Sequence, residues 1–349
     1  MIPGQGRHSA VKIAGIILVL AVLAAGMAGC AELPSKNLEI RDWYDLDAMR
    51  ENLSGNHHLM NDLDAATAGY EELASPTANG GKGWQPIGTY HLDTHGLVVF
   101  GGTFDGQGHE IRDLFINRPD ERCVGVFGTL GSPYRSGKGI IENVGVVNAT
   151  VTGGSNVGAL LGQNGALNLG TVSNCYATGS VAGNSWVGGL VGLNGGAVSS
   201  CYHMGNVTGI THVGGLIGVN GDTVSDSYSA GSVIGNSDVG GLLGYNHYGT
   251  VGNCYSTGSV SGDEDVGGLV GLSDESTVSD SFWDTETSGQ SISDGGTGKN
   301  TTEMQDIATF SGATWNITAV ADPGARSAAY VWNIVDGVTY PFLSWESVA

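Results

Sequence analysis

The chain has 349 residues, of which 60 are glycine and only eight proline, with 13% charged and 40% hydrophobic residues. So much glycine would suit a disordered chain, but this apolar fraction is enough to build a core, so the glycine must serve something periodic. The net charge is −21 and no Lys or Arg occurs between Val151 and Gln290, which sets aside nucleic acid and anionic lipid as partners of that stretch.

The N-terminus reads as an export signal. Arg7, His8 and Lys12 precede an apolar run from Ile13 to Ala28, short for a bilayer span of ~20 residues but suited to a signal peptide. The run ends in Met27-Ala28-Gly29-Cys30, which resembles the lipobox of bacterial lipoproteins. Residues 1–29 are therefore expected to be a signal peptide, with Cys30 lipidated as the first mature residue. Met27 departs from the usual Leu, Val or Ile, so simple cleavage near Ala28 and an uncleaved anchor remain the alternatives.

Residues 30–95 are expected to form an N-terminal cap. Tyr44 to Leu53 places Leu46, Met49 and Leu53 on one side and is followed by Gly55, the pattern of a short helix with its stop. Stacked repeats need such a cover at an open end.

Residues 96–286 hold the main signal, an internal repeat. Val187-Gly-Gly-Leu-Val-Gly-Leu-Asn194 recurs from Val213 to Asn220, from Val239 to Asn246 and from Val266 to Ser273. A weaker copy runs from Val157 to Asn164, a degenerate one from Cys123 to Gly128, with an insertion around Ala166 to Leu169. A second motif interleaves: Thr171-Val-Ser-Asn-Cys-Tyr176, then Ala197 to Tyr202, Thr223 to Tyr228, Thr250 to Tyr255 and Thr277 to Phe282. Each repeat thus offers two or three short β-prone runs broken by Gly, Asn and Ser, and no helical periodicity.

Short strands cannot bury a face alone, but stacked coils pair each strand with its equivalent ~4.8 Å away. The fold predicted is all-β, a right-handed parallel β-helix, the hand following from the rule for parallel crossovers. Glycine should supply corners with φ > 0 and close packing. Asn164, Asn194, Asn220 and Asn246 should form an amide ladder, and Leu190, Leu216, Leu242 and Leu269 part of the core. Cys175, Cys201 and Cys254 share a position with Ser227 and Ser281, so stacked buried thiols are expected rather than disulfides; Cys123 stands apart, and no Cys-x-x-Cys occurs. Residues 287–349, with Trp315, Trp332, Tyr340 and Trp345, are expected to be an irregular C-terminal cap over the other end.

These motifs resemble the GLUG repeat, a short Gly-Leu-hydrophobic-Gly motif of bacterial and archaeal surface proteins, some of them IgA-specific peptidases. The likeness runs through Val157 to Ser273. It extends upstream through Gly101-Gly-Thr-Phe-Asp-Gly-Gln-Gly-His-Glu-Ile111 and downstream through Phe282-Trp-Asp284, Gly295 to Met304 and Tyr340-Pro-Phe-Leu343. It implies a surface-exposed β-helix and brings no catalytic residues with it.

Candidate sites are few. His109-Glu110 begins like a zinc-peptidase helix, but the fifth position is Asp113 and the context is a strand, so peptidase activity does not transfer. Gly295-Gly-Thr-Gly-Lys-Asn300 has Ser293 and Asn300 where a phosphate loop needs Gly and Ser/Thr, and reads as a turn. Asp263 and Asp265, near Asp274 and Glu275, are a weak calcium candidate; otherwise neither metal nor cofactor is expected. Asp226 and Asp280 sit two coils apart, about 10 Å, beyond the ~6.5–9.5 Å of inverting glycosidases. Asn174, Ser200 and Asn253 share their position, which suggests a corner that favours small polar residues.

Tyr176, Tyr202, Tyr228, Tyr255 and Phe282 line up once per coil. Strand alternation puts Cys175 and Val181 on one face, so an inward Val181 means an outward Tyr176, unless a bulge at Gly179 reverses it. An outward stripe could stack sugar rings or a partner surface. The expected function is therefore an exported, lipid-anchored or secreted, non-enzymatic surface module for adhesion or envelope interaction, with glycans or surface proteins as partners. The alternative is a polysaccharide hydrolase using solenoid carboxylates.

Overall fold

In the computed structural model, which describes residues 37–91, 96–131, 138–165 and 170–346, the repeats stack as parallel strands. The coil from Ala197 to Asn220 shows the unit. Its strands are Ala197–Ser199, Tyr202–Thr208, Thr211–Gly214 and Ile217–Asn220, and each pairs in register with its successor: Val198 with Val224, Tyr202 with Tyr228, Val213 with Val239, Asn220 with Asn246. Each coil therefore has four runs where two or three were expected. The Val-Gly-Gly-Leu-Val-Gly-Leu-Asn motif is not one strand but two, broken at the Gly-Leu pair. The buried Leu190, Leu216, Leu242 and Leu269 lie at that break and fill the coil interior as predicted.

Among the described residues the first sheet has nine strands, the second fifteen and the third six. The second holds both the tyrosine-bearing and the Val-Gly-bearing strands, because the long strand Gly145–Val157 pairs with Tyr176–Ala182 and with Ser185–Gly188. The first sheet begins earlier than the repeat. Glu39–Ile40 and Asn56–Leu59, inside the stretch expected to be cap, already stack in parallel on Thr103–Asp105. Between them the predicted helix is present as Trp43–Ala48 with a 3-10 turn at Met49–Glu51, and it sends Trp43, Leu46 and Met49 into the core.

The corners correct the expectation for glycine. Six successive residues between the first and second sheets, Asn143, Asn174, Ser200, Asp226, Asn253 and Asp280, have φ of 46° to 55°. A second left-handed column is Cys123, Asn156, Trp186, His212, Asp238 and Asp265, with φ of 49° to 58°. Asn and Asp tolerate this region better than other side chains, and the small polar residues at the first corner follow from that. The repeat glycines serve the other purpose, close approach. At Gly215, whose φ lies outside the left-handed range, a Cβ would collide with the Gly241 carbonyl oxygen and the Ser229 hydroxyl.

Interior ladders complete the coil. Val172, Val198, Val224 and Val251 are fully buried in register. Asn164 donates to Asn194, Asn194 to Asn220 and Asn220 to Asn246, each at 2.8 Å. Such a run satisfies amides that would otherwise be costly to bury. Cys175, Cys201 and Cys254 are buried free thiols, and the hydroxyls of Ser227 and Ser281 accept from the Cys201 and Cys254 amides. Burial pushes the Cys175 and Cys254 thiols up, which makes them inert rather than nucleophilic.

The last coil is covered as expected. Ile292 accepts from the Gly268 amide, the Ser293 hydroxyl from those of Leu269 and Val270, and the Asp294 carboxylate from that of Ser273. Among the described residues no helix is long and apolar enough to cross a membrane.

Two measurements test this packing. Gly215→Ala should lower stability by about 1–3 kcal/mol, the usual cost of overpacking. Gly221→Ala, whose Cβ would meet nothing nearer than the Asn194 carbonyl oxygen at 3.4 Å, should leave the thermal midpoint unchanged. His203 occupies an interior ladder with Ser229 and Ser256, and burial lowers its pKa to about 4. Its contribution should be present above pH ~6.5 and lost as pH falls through about 4. His203→Ser should remove that part of the acid sensitivity in pH-dependent thermal unfolding.

Candidate functional site

The tyrosine column stands on the outer face of the second sheet. Cys175, Ala177 and Val181 point into the coil, so the alternating Tyr176 points out; Gly179, with φ of 117°, does not reverse the parity. The rings stack at the strand spacing: Tyr176 on Tyr202 at 4.8 Å, Tyr202 on Tyr228 at 4.9 Å and Tyr228 on Tyr255 at 4.8 Å, within 16° of parallel.

That column is not an open binding stripe. Tyr202, Tyr228, Tyr255 and Phe282 are each at most 6% exposed, because the chain after the last coil folds back along them. Helices Thr301–Met304 and Ile307–Ser311 and a small sheet of Ile317–Ala319, Trp332–Ile334 and Phe342–Leu343 make this cover. Phe310, Trp315, Trp332 and Leu343 join the column in a second apolar core, separate from the coil interior. Phe310 meets Phe282 edge-on at 5.5 Å, and Trp332 lies 5.7 Å from Tyr255. Polar atoms pin the cover: the Tyr255 hydroxyl donates to the Pro341 carbonyl at 2.5 Å, the Tyr340 hydroxyl to Asp284 at 2.7 Å, and the Trp315 indole to the Asp280 carbonyl at 2.7 Å. Residues 287–346 are thus more than an end cap. The sequence leaves the direction of the tyrosines conditional on Gly179 and gives no sign of what lies over them.

Only the first rung escapes. Tyr176 is half-buried, with Trp345 inclined against it at 6.1 Å. Counted along the stack, the rung before Tyr176 is Gly145 and the one before that Glu110. A Cβ at Gly145 would strike the Tyr176 ring. With none there, the Tyr176 ring leans over Gly145 and its hydroxyl donates to the Glu110 carboxylate, which also pairs with Arg112. Beside that ring is a cavity of about 420 Å³ lined by Asp105, Gln107, Glu110, Asn143, Asn174, Tyr176 and Trp345 among others. Along its floor Asn174 donates to Asn143 at 3.1 Å and Asn143 to Asp105 at 3.0 Å.

The other sequence candidates are dispersed. Asp226 accepts from Asn253 and, at 3.4 Å, from the Trp332 indole, whereas Asp280 is exposed and meets the cover through its backbone carbonyl. Asp263 and Asp265 are exposed, Asp274 turns to His247, and among the described residues no group of three or more His, Cys, Asp or Glu side chains could hold a metal ion. His109 hydrogen-bonds Asp62 at 3.2 Å from a strand edge, and Asn300 caps the helix that follows it. Cys30 lies outside the described residues. Sequence reasoning missed the cavity, although Ile140-Ile-Glu-Asn-Val-Gly145 aligns with Thr171-Val-Ser-Asn-Cys-Tyr176 and so announces the absent ring.

Stacked coils, a sealed outer aromatic column and one vacated rung define a parallel β-solenoid with its C-terminal segment docked on its flank. Within it, residues 153–182 and 235–261 match the GLUG motif. The chain is 34% identical over 161 residues to halomucin of Haloquadratum walsbyi, a match covering 46% of this chain and 2% of that protein. It is 33% identical over 124 residues to a "putative Gly-rich membrane protein" of Evansella cellulosilytica, covering 34% of this chain and 12% of that one. A crystal structure described as a "putative immunoglobulin A1 protease" from Bacteroides ovatus superposes with a TM-score of 0.53 at 18% identity, over 90% of this chain and 94% of that one. At that identity the likeness is one of fold.

The far end of the cover carries a titrating group. Glu346 accepts from the Leu343 amide at 2.7 Å, and burial raises its pKa to about 7 against partial offsets from that amide, the Tyr228 hydroxyl and Arg326. Its stabilisation of the docked end should be fully present below pH ~4.5 and lost as pH rises through about 7. Trp345 fluorescence and amide exchange over residues 340–346 should report loosening across that window. Glu346→Gln should abolish the pH dependence.

Proposed function

We propose that this chain is an exported surface β-solenoid, tethered by a lipid on Cys30, that serves as a non-enzymatic adhesion or envelope-interaction module. The observation that carries this reading is the sealed flank. The outer aromatic column is used for the chain's own cohesion, and the Asp226 carboxylate accepts from the Trp332 indole of the cover. Names of relatives such as halomucin and a Gly-rich membrane protein support a place at the cell surface. The acidic charge of −21 suits a solvated exported protein. The peptidase title stays with the protein from Bacteroides ovatus, since His109 here is engaged with Asp62 and Glu110 with Tyr176 and Arg112.

A polysaccharide hydrolase is the second reading, favoured by one observation, that Asp105 and Glu110 line the same cavity. Expression in a bacterium with lipoprotein processing tests the first. The wild type should incorporate labelled palmitate, sediment with membranes and be shaved from intact cells by added protease, whereas Cys30→Ala should be released from membranes. Retention of the wild type in the cytosol would overturn the proposal.

A further inference from the structure

The cavity over Gly145 is built, not incidental. Its wall is set by one rung of the aromatic column being glycine, over which the Tyr176 ring leans, while the strands on either side stay in register. One wall is a half-buried phenol face and an inclined indole, Tyr176 and Trp345. The floor is the chain of oriented amides from Asn174 through Asn143 to Asp105, and the rim carries Glu110 and Gln107. Its volume of about 420 Å³ falls within the ~300–1,000 Å³ of small-molecule sites.

The lining selects a ligand by chemistry. Aromatic faces favour a ligand with an apolar face of its own. Amides and carboxylates require many hydroxyls, since an aliphatic occupant would leave polar groups unpaired. Asp105 and Glu110 repel an anion, and the Arg112 guanidinium is drawn to Glu110 and Asp62. A flat C–H face bordered by hydroxyls, with no negative charge, describes a pyranose. We propose that this vacated rung is a binding site for a neutral oligosaccharide, with Trp345 and Tyr176 as stacking platform and Asp105, Glu110 and Asn143 as hydroxyl partners. This deepens the adhesion reading, on which it rests only in treating the site as binding rather than cleaving.

The test is calorimetric titration of the full chain, purified in a sugar-free zwitterionic detergent, with maltotriose, cellotriose, triacetylchitotriose and, as anionic control, trigalacturonate. At least one neutral trisaccharide should bind with Kd below about 1 mM, and Trp345→Ala and Glu110→Gln should each weaken it about tenfold or more. Tyr248→Ala, an exposed aromatic elsewhere, should bind like the wild type. Because Trp345→Ala could loosen the docked segment, Glu110→Gln is the deciding variant. No heat with any neutral sugar from a chain folded by circular dichroism would overturn the proposal, as would binding unchanged in Glu110→Gln or preference for trigalacturonate. Release of shorter saccharides would uphold the ligand class while overturning the non-enzymatic reading.

Discussion

Most of this molecule follows from parallel pairing between equivalent strands of successive coils. Once Val198 must lie on Val224 and Tyr202 on Tyr228, every residue has its equivalent as a neighbour at about 4.8 Å. A residue type that stacks with itself is then reinforced along the axis. That is why buried asparagines can donate in one direction through four coils, and why four tyrosine rings lie nearly parallel. The same constraint makes glycine obligatory wherever backbone passes over backbone, since a clash in one coil would recur in the next.

The repeat also explains where irregularity becomes informative. His203 stands in a column that elsewhere holds Ser229 and Ser256, and Gly145 in a column of aromatics. One is an interior substitution that burial keeps neutral; the other opens a space on the outside. Neither would stand out in a fold without an internal standard of comparison.

Much of the architecture was legible in the sequence because ladders are written at fixed intervals. The Leu190 and Asn164 columns and the free thiols follow from period and strand alternation, whereas the outward side of Tyr176 hung on whether Gly179 makes a bulge. What was not legible depended on contacts without a period. The cover over Tyr202 to Phe282 comes from residues that resemble nothing in the repeat, and Trp315, Trp332 and Tyr340 signalled only that something large was buried there. Glycine was misassigned to the corners because its two uses, positive φ and absence of a Cβ, look identical in sequence. At Asn174 and Asp226 the corner is made by polar side chains, while Gly215 is needed for space. The start of the first sheet at Glu39 was missed because two short strands carry no repeat signature.

The docked C-terminal segment has a consequence for how the protein comes into being. Coils can stack as soon as neighbours emerge, since their contacts are close in sequence. The flank is different: Tyr202 and Tyr176 wait for Trp345, which lies far downstream in the chain. Until then a ribbon of stacked phenols faces water, the kind of surface that seeks any apolar company on offer. A chain released N-terminus first would therefore have finished coils with an unfinished side, and closing that side is the step that separates a self-contained molecule from an adhesive one.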